Sequence, residues 1–390
     1  MITVDAALDR LFSLTSPLGT ETVDLAQANG RVLAEGVVAL RDQPPFSASA
    51  MDGYGVDNAA VEIGARFTVI GESAAGHGFD GTVGKGEAIR IFTGAPVPQG
   101  VSHVVIQEDI DRDGDDITLT DRLGAGPNIR PLGADFTKGQ TFAAPRRLTP
   151  ADVALLAAMN IPQVIVFKRP DVALISTGDE LVMPGEVPGP DQIIASNTFG
   201  LKAMLEGMGA IARILPIARD NIASLETAFD LAKGADLVVT IGGASVGDHD
   251  LVGDVAASMG MERAFYKIAM RPGKPLMAGK MNDAVMIGLP GNPVSAMVCG
   301  HVFLAPVINA MLGLGNHRTP IQTATLADEL PKNGIREHYM RAVVMQGQIG
   351  VFDQQDSALL SVLSNANALL IRPINDEARK EGDTVSYLPI

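Results

Sequence analysis

The spacing of apolar residues changes character several times along the chain. Near the start, four apolar residues recur on one helical face and predict an amphipathic helix: Val4, Leu8, Leu11 and Phe12. Residues 44–139 instead contain short β-type runs, such as RFTVIGE and HVVIQED, between turns that are rich in glycine. This second pattern predicts a small β-rich domain.

A second helix is predicted directly after the β-rich segment. Thr149 is a favourable N-cap, and Pro150 suits the first helical position. The segments on either side of the β-rich domain, residues 1–43 and 140–168, are each too short to form a complete domain. We therefore predict that they make one discontinuous N-terminal domain, into which residues 44–139 are inserted.

Residues 169–313 alternate apolar strands with amphipathic helices. The strand-like runs are DVALIS, ADLVVTI and DAVMIGL. One predicted helix repeats apolar residues at the spacing of a buried face: Leu201, Met204, Leu205 and Met208. This alternation predicts a three-layer α/β domain with a mainly parallel sheet.

β-type runs return in residues 314–390 and predict a β-barrel-like C-terminal domain. The predicted fold class is therefore a multidomain α/β protein. Its central three-layer domain is flanked by β-rich domains and by an elongated helical and linker domain.

Composition narrows the classes of protein that the chain can represent. It has 390 residues, of which 46% are hydrophobic, enough for more than one core. Its single cysteine, Cys299, excludes a disulfide framework within one chain and favours a reducing cytoplasm. A net charge of −15 argues against general binding to nucleic acid or to an anionic membrane surface. An anionic ligand therefore needs a local basic pocket.

Two apolar segments fit neither a secretory signal nor a membrane span. The start, MITVDAALDRLF, has acidic residues where a secretory signal carries a basic leader. The apolar window of residues 293–314 is interrupted by Gly300 and Pro306, whereas a spanning helix needs a cleaner run of about 20 residues. We expect a buried helix followed by a break, and a cytoplasmic location.

Glycines and carboxylates follow the predicted strands of the α/β domain. In an open α/β sheet, ligands bind beyond the carboxyl ends of the strands. The turns TGDEL and GGASVGDHD occupy two such ends; their glycines let backbone N–H groups face an anion, and their carboxylates suit a hard cation such as Mg²⁺. The candidate ligand-binding residues are Thr177, Gly178, Asp179, Glu180, Gly242, Gly243, Ser245, Gly247 and Asp250.

For either turn alone, a purely structural interpretation is favoured. The two glycines suit a tight turn, and Asp248 or Asp250 suits the N-cap of the next helix. A third strand end, GLPGNPVSA, precedes a helix whose first N–H groups are free to face a phosphate. Its candidate residues are Pro290, Gly291, Asn292, Pro293 and Ser295. Three such ends on one sheet favour a shared anion pocket.

A basic segment, YKIAMRPGKP, carries the positive charge that such a pocket needs. Lys267, Arg271 and Lys274 lie around its Pro-Gly turn. A solvated loop is the usual fate of such a cluster, but in an acidic chain beside these turns a functional role gains weight. Four histidines lack metal-ligand spacing, so we expect structural or surface roles and no zinc site: His77, His103, His301 and His338.

Several motifs together resemble one family, in the same order along the chain. They are GRVLAEGVVA, PPFSASAMDGYGV, IFTGAPVPQG, ISTGDEL, GGASVGDHD, MRPGKPLMAG and GLPGNPVSA, and NIRPLGADF and SALLSVLSNAN extend the likeness over nearly the full length. On these motifs the chain resembles the molybdopterin molybdenumtransferases of the MoeA type, whose eukaryotic relatives include the C-terminal domain of gephyrin.

The resemblance implies that molybdate is inserted into adenylylated molybdopterin, with release of AMP and with assistance from Mg²⁺. It also implies an elongated homodimer of four-domain subunits, in which the third domain is an α/β pterin-binding domain. Further partners that it implies are molybdopterin adenylyltransferase and the acceptor molybdoenzymes or their chaperones.

Carried over by motif, Asp52 in MDGYGV and Asp135 in NIRPLGAD are implied to be functional carboxylates that face the pterin-binding domain of the partner subunit. Their implied counterparts on the α/β domain are Asp220, Glu180 and Asp250, the last two also as metal ligands. The residues implied to grip the oxyanion are Lys267, Arg271, Pro272, Arg341 and Ser357.

The chain departs from the family pattern at four positions. Ala48 stands where asparagine is frequent. Ala134 is the middle residue of Gly-Ala-Asp, where Gly-Glu-Asp is usual. Arg271 replaces a common lysine, and Asp356 replaces a common glycine. Arginine keeps the positive charge but presents its donors as a fork, so the oxyanion geometry differs from that of lysine.

Two other functions stay open on the sequence. One is adenylylation of molybdopterin, because the α/β pterin-binding fold is shared between the two activities; the additional β-rich regions and Asp52 argue against it. The other is a non-catalytic molybdopterin-binding carrier.

Overall fold

The computed structural model describes residues 1–243 and 251–390, and the chain forms two compact units. The larger unit comprises Met1–Glu21, Gly30–Ala34 and Val166–Ile390, and the smaller unit comprises Thr22–Asn29 and Glu35–Ile165. This division is coarser than the four predicted domains, whose boundaries stay predictions.

The chain begins with α1 (Val4–Leu14), the helix that apolar spacing predicts. The hydroxyl of Thr3 caps its first turn by accepting a hydrogen bond from the N–H of Ala6 at 3.2 Å. Its buried residues belong to the main core of the larger unit: Val4, Ala7, Leu8 and Leu11. Three short strands follow, β1 (Thr20–Asp24), β2 (Val32–Leu33) and β3 (Val37–Val38).

The smaller unit is mainly β-structure, as the sequence predicts. Its next strands are β4 (Ala48–Ser49), β5 (Gly53–Val56), β6 (Arg66–Ser73), β7 (Glu87–Ile91), β8 (His103–Ile106), β9 (Ile110–Asp113), β10 (Asp116–Leu119), β11 (Ile129–Arg130) and β12 (Thr141–Phe142). A six-stranded sheet has the order β8-β5-β7-β6-β10-β9. Its core packs Tyr54, Val56, Phe67 and Ile117 together.

After β13 (Arg146–Arg147), the predicted cap of the next helix is confirmed. The hydroxyl of Thr149 accepts a hydrogen bond from the N–H of Asp152 at 3.2 Å, and Pro150 is the first residue of α2 (Pro150–Ala158). The carboxylate of Asp152 accepts from the N–H of Thr149 at 2.9 Å and pairs with Arg146 at 2.6 Å. This reciprocal pair is a capping box, which fixes where the helix starts. Strand β14 (Gln163–Phe167) follows.

The larger unit is built on a second six-stranded sheet. The strands in this part of the chain are β15 (Asp171–Ser176), β16 (Leu181–Val182), β17 (Ile193–Ile194), β18 (Ile211–Ile214), β19 (Leu237–Ile241), β20 (Met261–Tyr266), β21 (Met270–Arg271), β22 (Met277–Met281) and β23 (Ala284–Leu289). The helices are α3 (Asn197–Gly207), α4 (Ile222–Leu231), α5 (Leu251–Ser258), α6 (Pro293–Cys299) and α7 (Ala305–Met311).

The sheet order is β18-β15-β19-β23-β22-β20, and the first four strands are parallel. Alternate residues of β15 face two different cores. Val172 and Leu174 join a core with α1, α3 and α6, whereas Ala173 and Ile175 join a core with α4 and α5. Because helices cover both faces, the central strands read as unbroken apolar runs. The predicted three-layer α/β domain is therefore confirmed.

A π-helical turn, Gly300–Leu304, joins α6 to α7. The N–H of Ala305 donates to the carbonyl of Gly300, and Pro306 has no N–H to continue the regular ladder. The helical run Pro293–Met311 is long and apolar enough to cross a membrane, yet most of it is buried inside the protein, as in the core helix of a globular protein. The helical run continues through this turn to Met311, so the sequence-based expectation of a break after the buried helix is wrong: only the hydrogen-bond pattern changes there.

The C-terminal region forms a barrel-like sheet, as predicted. It contains β24 (Gln322–Leu326), β25 (Glu337–Met345), β26 (Gln348–Val351), α8 (Leu360–Ser364), β27 (Ala368–Arg372) and β28 (Thr384–Pro389). The order is β21-β25-β26-β24-β28-β27, and an additional pairing between β25 and β27 closes the strands on themselves.

We expect Asp152→Asn to lower the free energy of unfolding of the smaller unit by about 1–2 kcal/mol at neutral pH, because it removes a charged member of the capping box. Burial alone would raise the pKa of Asp152, but hydrogen bonds from Thr149, together with Arg146, hold that pKa below its ordinary value. The stabilisation is therefore present above the ordinary aspartate pKa and is lost as the pH falls through the lowered one.

Urea unfolding followed by circular dichroism at a series of pH values measures this difference. Asp111→Asn, which removes an exposed carboxylate of β9, is the control and leaves the curve unchanged. A stability difference between wild type and Asp152→Asn that persisted undiminished into strong acid would contradict the prediction.

Candidate functional site

Three of the predicted ligand-binding turns leave the sheet side by side. Ser176 at the end of β15 pairs with Ile241 at the end of β19, which pairs with Leu289 at the end of β23. The N–H of Thr177 donates to Ile241 at 3.0 Å, and the N–H of Gly242 donates to Leu289 at 3.1 Å. The carboxyl ends of these strands therefore form one edge, which is where α/β sheets bind ligands.

Glycine is required where the second turn begins. Gly242 and Gly243 have φ values of 98° and 65°. A Cβ at Gly242 would lie 2.6 Å from the carbonyl oxygen of Thr177, and one at Gly243 would lie 2.2 Å from Val252. The hydroxyl of Thr177 is buried beside them and has no hydrogen-bond partner among the described residues. This position suits a ligand that offers a polar atom.

The predicted residues Ser245, Gly247 and Asp250 lie outside the described residues. The roles assigned to them from the sequence stay predictions.

Arg219 organises the first turn, TGDEL. One of its terminal nitrogens, Nη1, donates to the carbonyls of Gly178, Asp179 and Leu181 at 3.3, 3.0 and 3.1 Å. Gly178 has a φ of 145°, and a Cβ there would lie 2.3 Å from a carboxylate oxygen of Glu180. The turn is therefore tightly folded, with the carboxylate of Glu180 over a glycine and the guanidinium fixing the carbonyls.

Asp220, which follows β18, is hydrogen-bonded to the turn that contains Asp179 and Glu180. The N–H of Asp220 donates to Oδ1 of Asp179 at 3.2 Å, and Asn221 caps α4 by accepting from the N–H of Ser224 at 3.0 Å. Carboxylate oxygens are the ligands that Mg²⁺ prefers. Within residues 1–243 and 251–390, no group of three or more metal-ligating side chains is already gathered around one point.

The third turn is linked to the C-terminal barrel region. Pro290 is buried, and Nδ2 of Asn292 donates to the hydroxyl of Ser357 at 2.8 Å, while the N–H of Val294 donates to the carbonyl of Ser357 at 3.0 Å. Nδ2 of Asn197, the first residue of α3, donates to the carbonyl of Gly291 at 2.7 Å. The predicted Ser357 is thus adjacent to the predicted turn. Two more predicted residues of this turn, Pro293 and Ser295, are the first and third residues of α6.

Arg341 is a fully buried cation with unused donors. Its Nη2 donates to the carbonyl of Asp356 at 2.9 Å, but Nε and Nη1 have no partner among the described residues. Burial lowers the pKa of this guanidinium, and the nearby Arg271 lowers it further, while Asp356 opposes both. The carboxylate of Asp356 itself accepts from the N–H of Ala358 at 2.8 Å. Unpaired buried donors of this kind fit a bound oxyanion.

Positive charge also surrounds His338. Strand β21 pairs in parallel with β25 and places the predicted Arg271, followed by the buried Pro272, opposite His338. Burial and, to a smaller extent, the nearby Arg271, Arg341, Arg336 and Arg372 together lower the pKa of His338 to about 3, so the imidazole is neutral. Its Nε2 is buried and unpartnered in the part of the chain that the structure describes.

Two predicted lysines lie in the same basic segment. Lys267 follows β20 in a left-handed conformation with a φ of 66°, and its ammonium lies 4.7 Å from the centre of the Tyr266 ring. Lys274 accepts a hydrogen bond on its carbonyl from the N–H of Ile268 at 3.0 Å. Both lysines are half-buried, so their charges stay close to the protein surface.

Asp52 and Asp135 lie in the smaller unit. Oδ1 of Asp52 accepts hydrogen bonds from the N–H and the hydroxyl of Thr93, each at 2.7 Å, and these bonds lower the pKa of Asp52. Asp52 therefore remains ionised and points in a fixed direction from an exposed position. The next residue, Gly53, is required because a Cβ there would lie 1.9 Å from the carbonyl oxygen of Val105. Asp135 is exposed, and its N–H donates to Gln43 at 2.9 Å.

Arg219, Asn197 and His338 are functional candidates that sequence reasoning missed. The available signals were weak: Arg219 directly precedes Asp220, and Asn197 lies four residues before Leu201, the first apolar residue of a predicted helix. The sequence predicts a structural or surface role for His338, and the structure places it in a buried position close to several arginines.

Fold and site together define a multidomain α/β protein in which the carboxyl ends of β15, β19 and β23 form an edge suited to binding an anion. Family models match three successive parts of the chain: the MoeA N-terminal region (domain I and II) matches residues 2–160, the probable molybdopterin binding domain matches residues 173–310, and the MoeA C-terminal region (domain IV) matches residues 323–390.

Curated relatives match over the full length. The molybdopterin molybdenumtransferase of Nostoc sp. is 35% identical over 97% of this chain and 90% of its own length. That of Haemophilus influenzae is 34% identical over 100% of this chain and 98% of its own length. The crystal structure of the molybdopterin biosynthesis MoeA protein from Pyrococcus horikoshii OT3 matches with a TM-score of 0.85 at 28% identity, covering 100% of both chains.

The chain therefore belongs to the molybdopterin molybdenumtransferase family. It is a transferase with a role in molybdenum cofactor biosynthesis.

We expect Arg219→Met to loosen the TGDEL turn, because it removes a charged donor shared by three carbonyls. Amide hydrogen exchange at residues 178–182 should become roughly tenfold faster, which corresponds to about 1.4 kcal/mol of local stability. Mass spectrometry of deuterium uptake measures this rate.

Arg213→Met is the matched control. Arg213 pairs with Asp171 through Nε at 2.9 Å, at the other end of β15, and its loss leaves exchange at residues 178–182 unchanged. Unaltered exchange there in Arg219→Met would show that the guanidinium does not fix the turn.

Proposed function

We propose that the protein inserts molybdate into adenylylated molybdopterin, releasing AMP and giving Mo-molybdopterin. One observation carries this proposal: the buried Arg341 guanidinium keeps two donor nitrogens without partners among the described residues. Arg271 is close enough to lower the pKa of Arg341, and Arg341 donates to the carbonyl of Asp356, the residue before Ser357. A tetrahedral dianion needs several donors and positive charge that converge on it.

The edge formed by the carboxyl ends of β15, β19 and β23 would bind the larger part of the substrate. The turns at Thr177, Gly242 and Gly291 start from adjacent strands and contain close-packed glycines. Backbone N–H groups in such turns suit phosphate oxygens. The matching relatives are named molybdopterin molybdenumtransferase, and the family that matches residues 173–310 is described as a probable molybdopterin binding domain. Both descriptions support molybdopterin as the substrate.

Mg²⁺ is the proposed cofactor. Glu180 would hold the ion with Asp250, and Asp179 and Asp220 are connected to the same turn by a hydrogen bond. Carboxylate oxygens are the ligands that a hard cation prefers. Bound Mg²⁺ would act as a Lewis acid on phosphate oxygens of the substrate.

Asp52 and Asp135 are proposed to complete the site of a partner subunit in a homodimer. The two hydrogen bonds from Thr93 support a catalytic role for Asp52, because they keep its carboxylate ionised and oriented. Lys267 and Lys274 are proposed to add positive charge. We further propose that the protein works in the cytoplasm with molybdopterin adenylyltransferase upstream and with acceptor molybdoenzymes or their chaperones downstream.

Purified protein incubated with adenylylated molybdopterin, molybdate and Mg²⁺ should release AMP and form Mo-molybdopterin, as followed by chromatography and metal analysis. Omission of molybdate abolishes the molybdenum product. Absence of both products would refute the proposed function. Consumption of ATP with molybdopterin would indicate adenylylation instead, and pterin binding without turnover would indicate a carrier.

Arg341→Met should weaken molybdate binding about tenfold to a hundredfold, because charge-assisted hydrogen bonds to the anion are lost. Stability without oxyanion should be unchanged or higher, since an apolar side chain replaces a buried cation with unpaired donors. Isothermal titration with molybdate and thermal unfolding measure the two effects. Arg122→Met, at an exposed position of the smaller unit, is the control. Equal molybdate affinity in Arg341→Met and wild type would count against the assigned oxyanion site.

A further inference from the structure

An apolar cavity of about 430 Å³ lies beside the candidate site in the larger unit. It is bounded by α3, by the helical run from α6 into the π turn, and by α8. The lining residues that matter here are Asn197, Met297, His301, Leu360, Leu363 and Ser364. Small-molecule sites in proteins are commonly cavities of about 300–1,000 Å³ with mostly apolar walls and a few polar groups.

The walls suit a flat ring system. Leu360 and Leu363 of α8 and Met297 of α6 line the cavity. A Cβ at Gly200 of α3 would lie 2.9 Å from the sulfur of Met297, so glycine at that position gives the thioether its place in the wall. A polarisable thioether and leucine side chains favour contact with an aromatic face.

His301 is one of the polar residues that line this cavity. His301 lies in the π turn, a distortion that occurs often at functional sites. Burial lowers the pKa of His301 to about 4, so its imidazole is neutral and carries one donor and one acceptor. The backbone carbonyl of His301 is used by the hydroxyl of Thr319 at 3.0 Å, but its ring nitrogens have no hydrogen-bond partner among the described residues.

Asn197 connects the cavity with the third strand-end turn. Asn197 lines the cavity and also donates to the carbonyl of Gly291 at 2.7 Å. The neighbouring Asn292 donates to Ser357 at 2.8 Å. A ligand with a heterocycle at one end and a phosphate at the other can therefore place the ring in the cavity and the phosphate at the sheet edge.

We propose that this cavity holds the pterin ring system of the substrate, with the imidazole of His301 hydrogen-bonded to the heteroatom edge of the ring. The proposal rests on the proposed function and specifies which part of the substrate binds where. The amide and amidine groups of a pterin present adjacent donors and acceptors, which a neutral imidazole matches and a charged one does not.

A second cavity, of about 580 Å³, does not compete for this assignment. It lies beside Asp236 and Ala284, at the amino ends of β19 and β23. Ligands of open α/β sheets bind at the carboxyl ends of the strands, and this cavity lies at the opposite end.

Two variants of the full-length chain test the proposal. Ser364→Phe places a large ring into the cavity from α8, and His301→Leu keeps bulk but removes the polar edge. We expect each to weaken binding of neopterin, a pterin without a phosphate, by about tenfold or more in isothermal titration, equivalent to about 1.4 kcal/mol. Affinity for AMP should change less than about twofold, because the nucleotide lies outside the cavity.

Ser361→Phe is the matched control, because Ser361 is on the same short helix but does not line the cavity. It should bind neopterin as wild type does, and all variants should show wild-type thermal unfolding; where His301→Leu is less stable, Ser364→Phe carries the test. Unchanged neopterin affinity in Ser364→Phe, loss of AMP affinity in place of neopterin affinity, or no neopterin binding by wild type would each overturn the proposal.

The molybdenum insertion assay separates this proposal from the proposed function. An active wild-type enzyme whose KM for adenylylated molybdopterin is unchanged in Ser364→Phe would overturn the cavity assignment alone. Neopterin binding that depends on Ser364 and His301, in a protein that inserts no molybdenum, would support the cavity and refute the function.

Discussion

The register of the central parallel sheet determines where the chemistry of the larger unit lies. Ser176, Ile241 and Leu289 are far apart in sequence, but they pair in one line across the sheet. Each strand is buried on both faces, so a slip of one residue would exchange the side chains of two cores. The packing of apolar residues thus places the three polar turns next to one another. Nothing in the local sequence of each turn determines that position.

That alignment explains why Arg219 and Thr177 acquire their surroundings. Arg219 reaches three carbonyls because the segment after β18 lies next to the end of β15. The hydroxyl of Thr177 is buried because two glycines of the adjacent turn fold over it. Both arrangements follow from neighbours that the sheet supplies.

Much of this fold could be predicted from the sequence, because apolar spacing reports burial directly. α1, the capped start of α2 and the strands β15, β19 and β23 were predictable on that ground. Arg341 and Ser357 were identified through motif resemblance, while their burial and contacts required the structure. Local patterns do not report long-range contacts, which is why Arg219 and Asn197 were missed. The π turn was also hidden, since it alters the hydrogen bonds of a helix and leaves the apolar pattern intact.

The incompletely paired guanidinium of Arg341 has a consequence for competition inside a cell. Sulfate is also a tetrahedral dianion, and positive charge alone attracts it as strongly as molybdate. Buried donors respond to the distance between oxygen atoms, and the bonds to molybdenum are longer than those to sulfur. In the proposed oxyanion site, selection against sulfate would therefore depend on how firmly Arg341 is held in place. The carbonyl of Asp356, which accepts the short hydrogen bond of this guanidinium, would help to hold it. The peptide group between Asp356 and Ser357 would thus help to determine which size of anion binds.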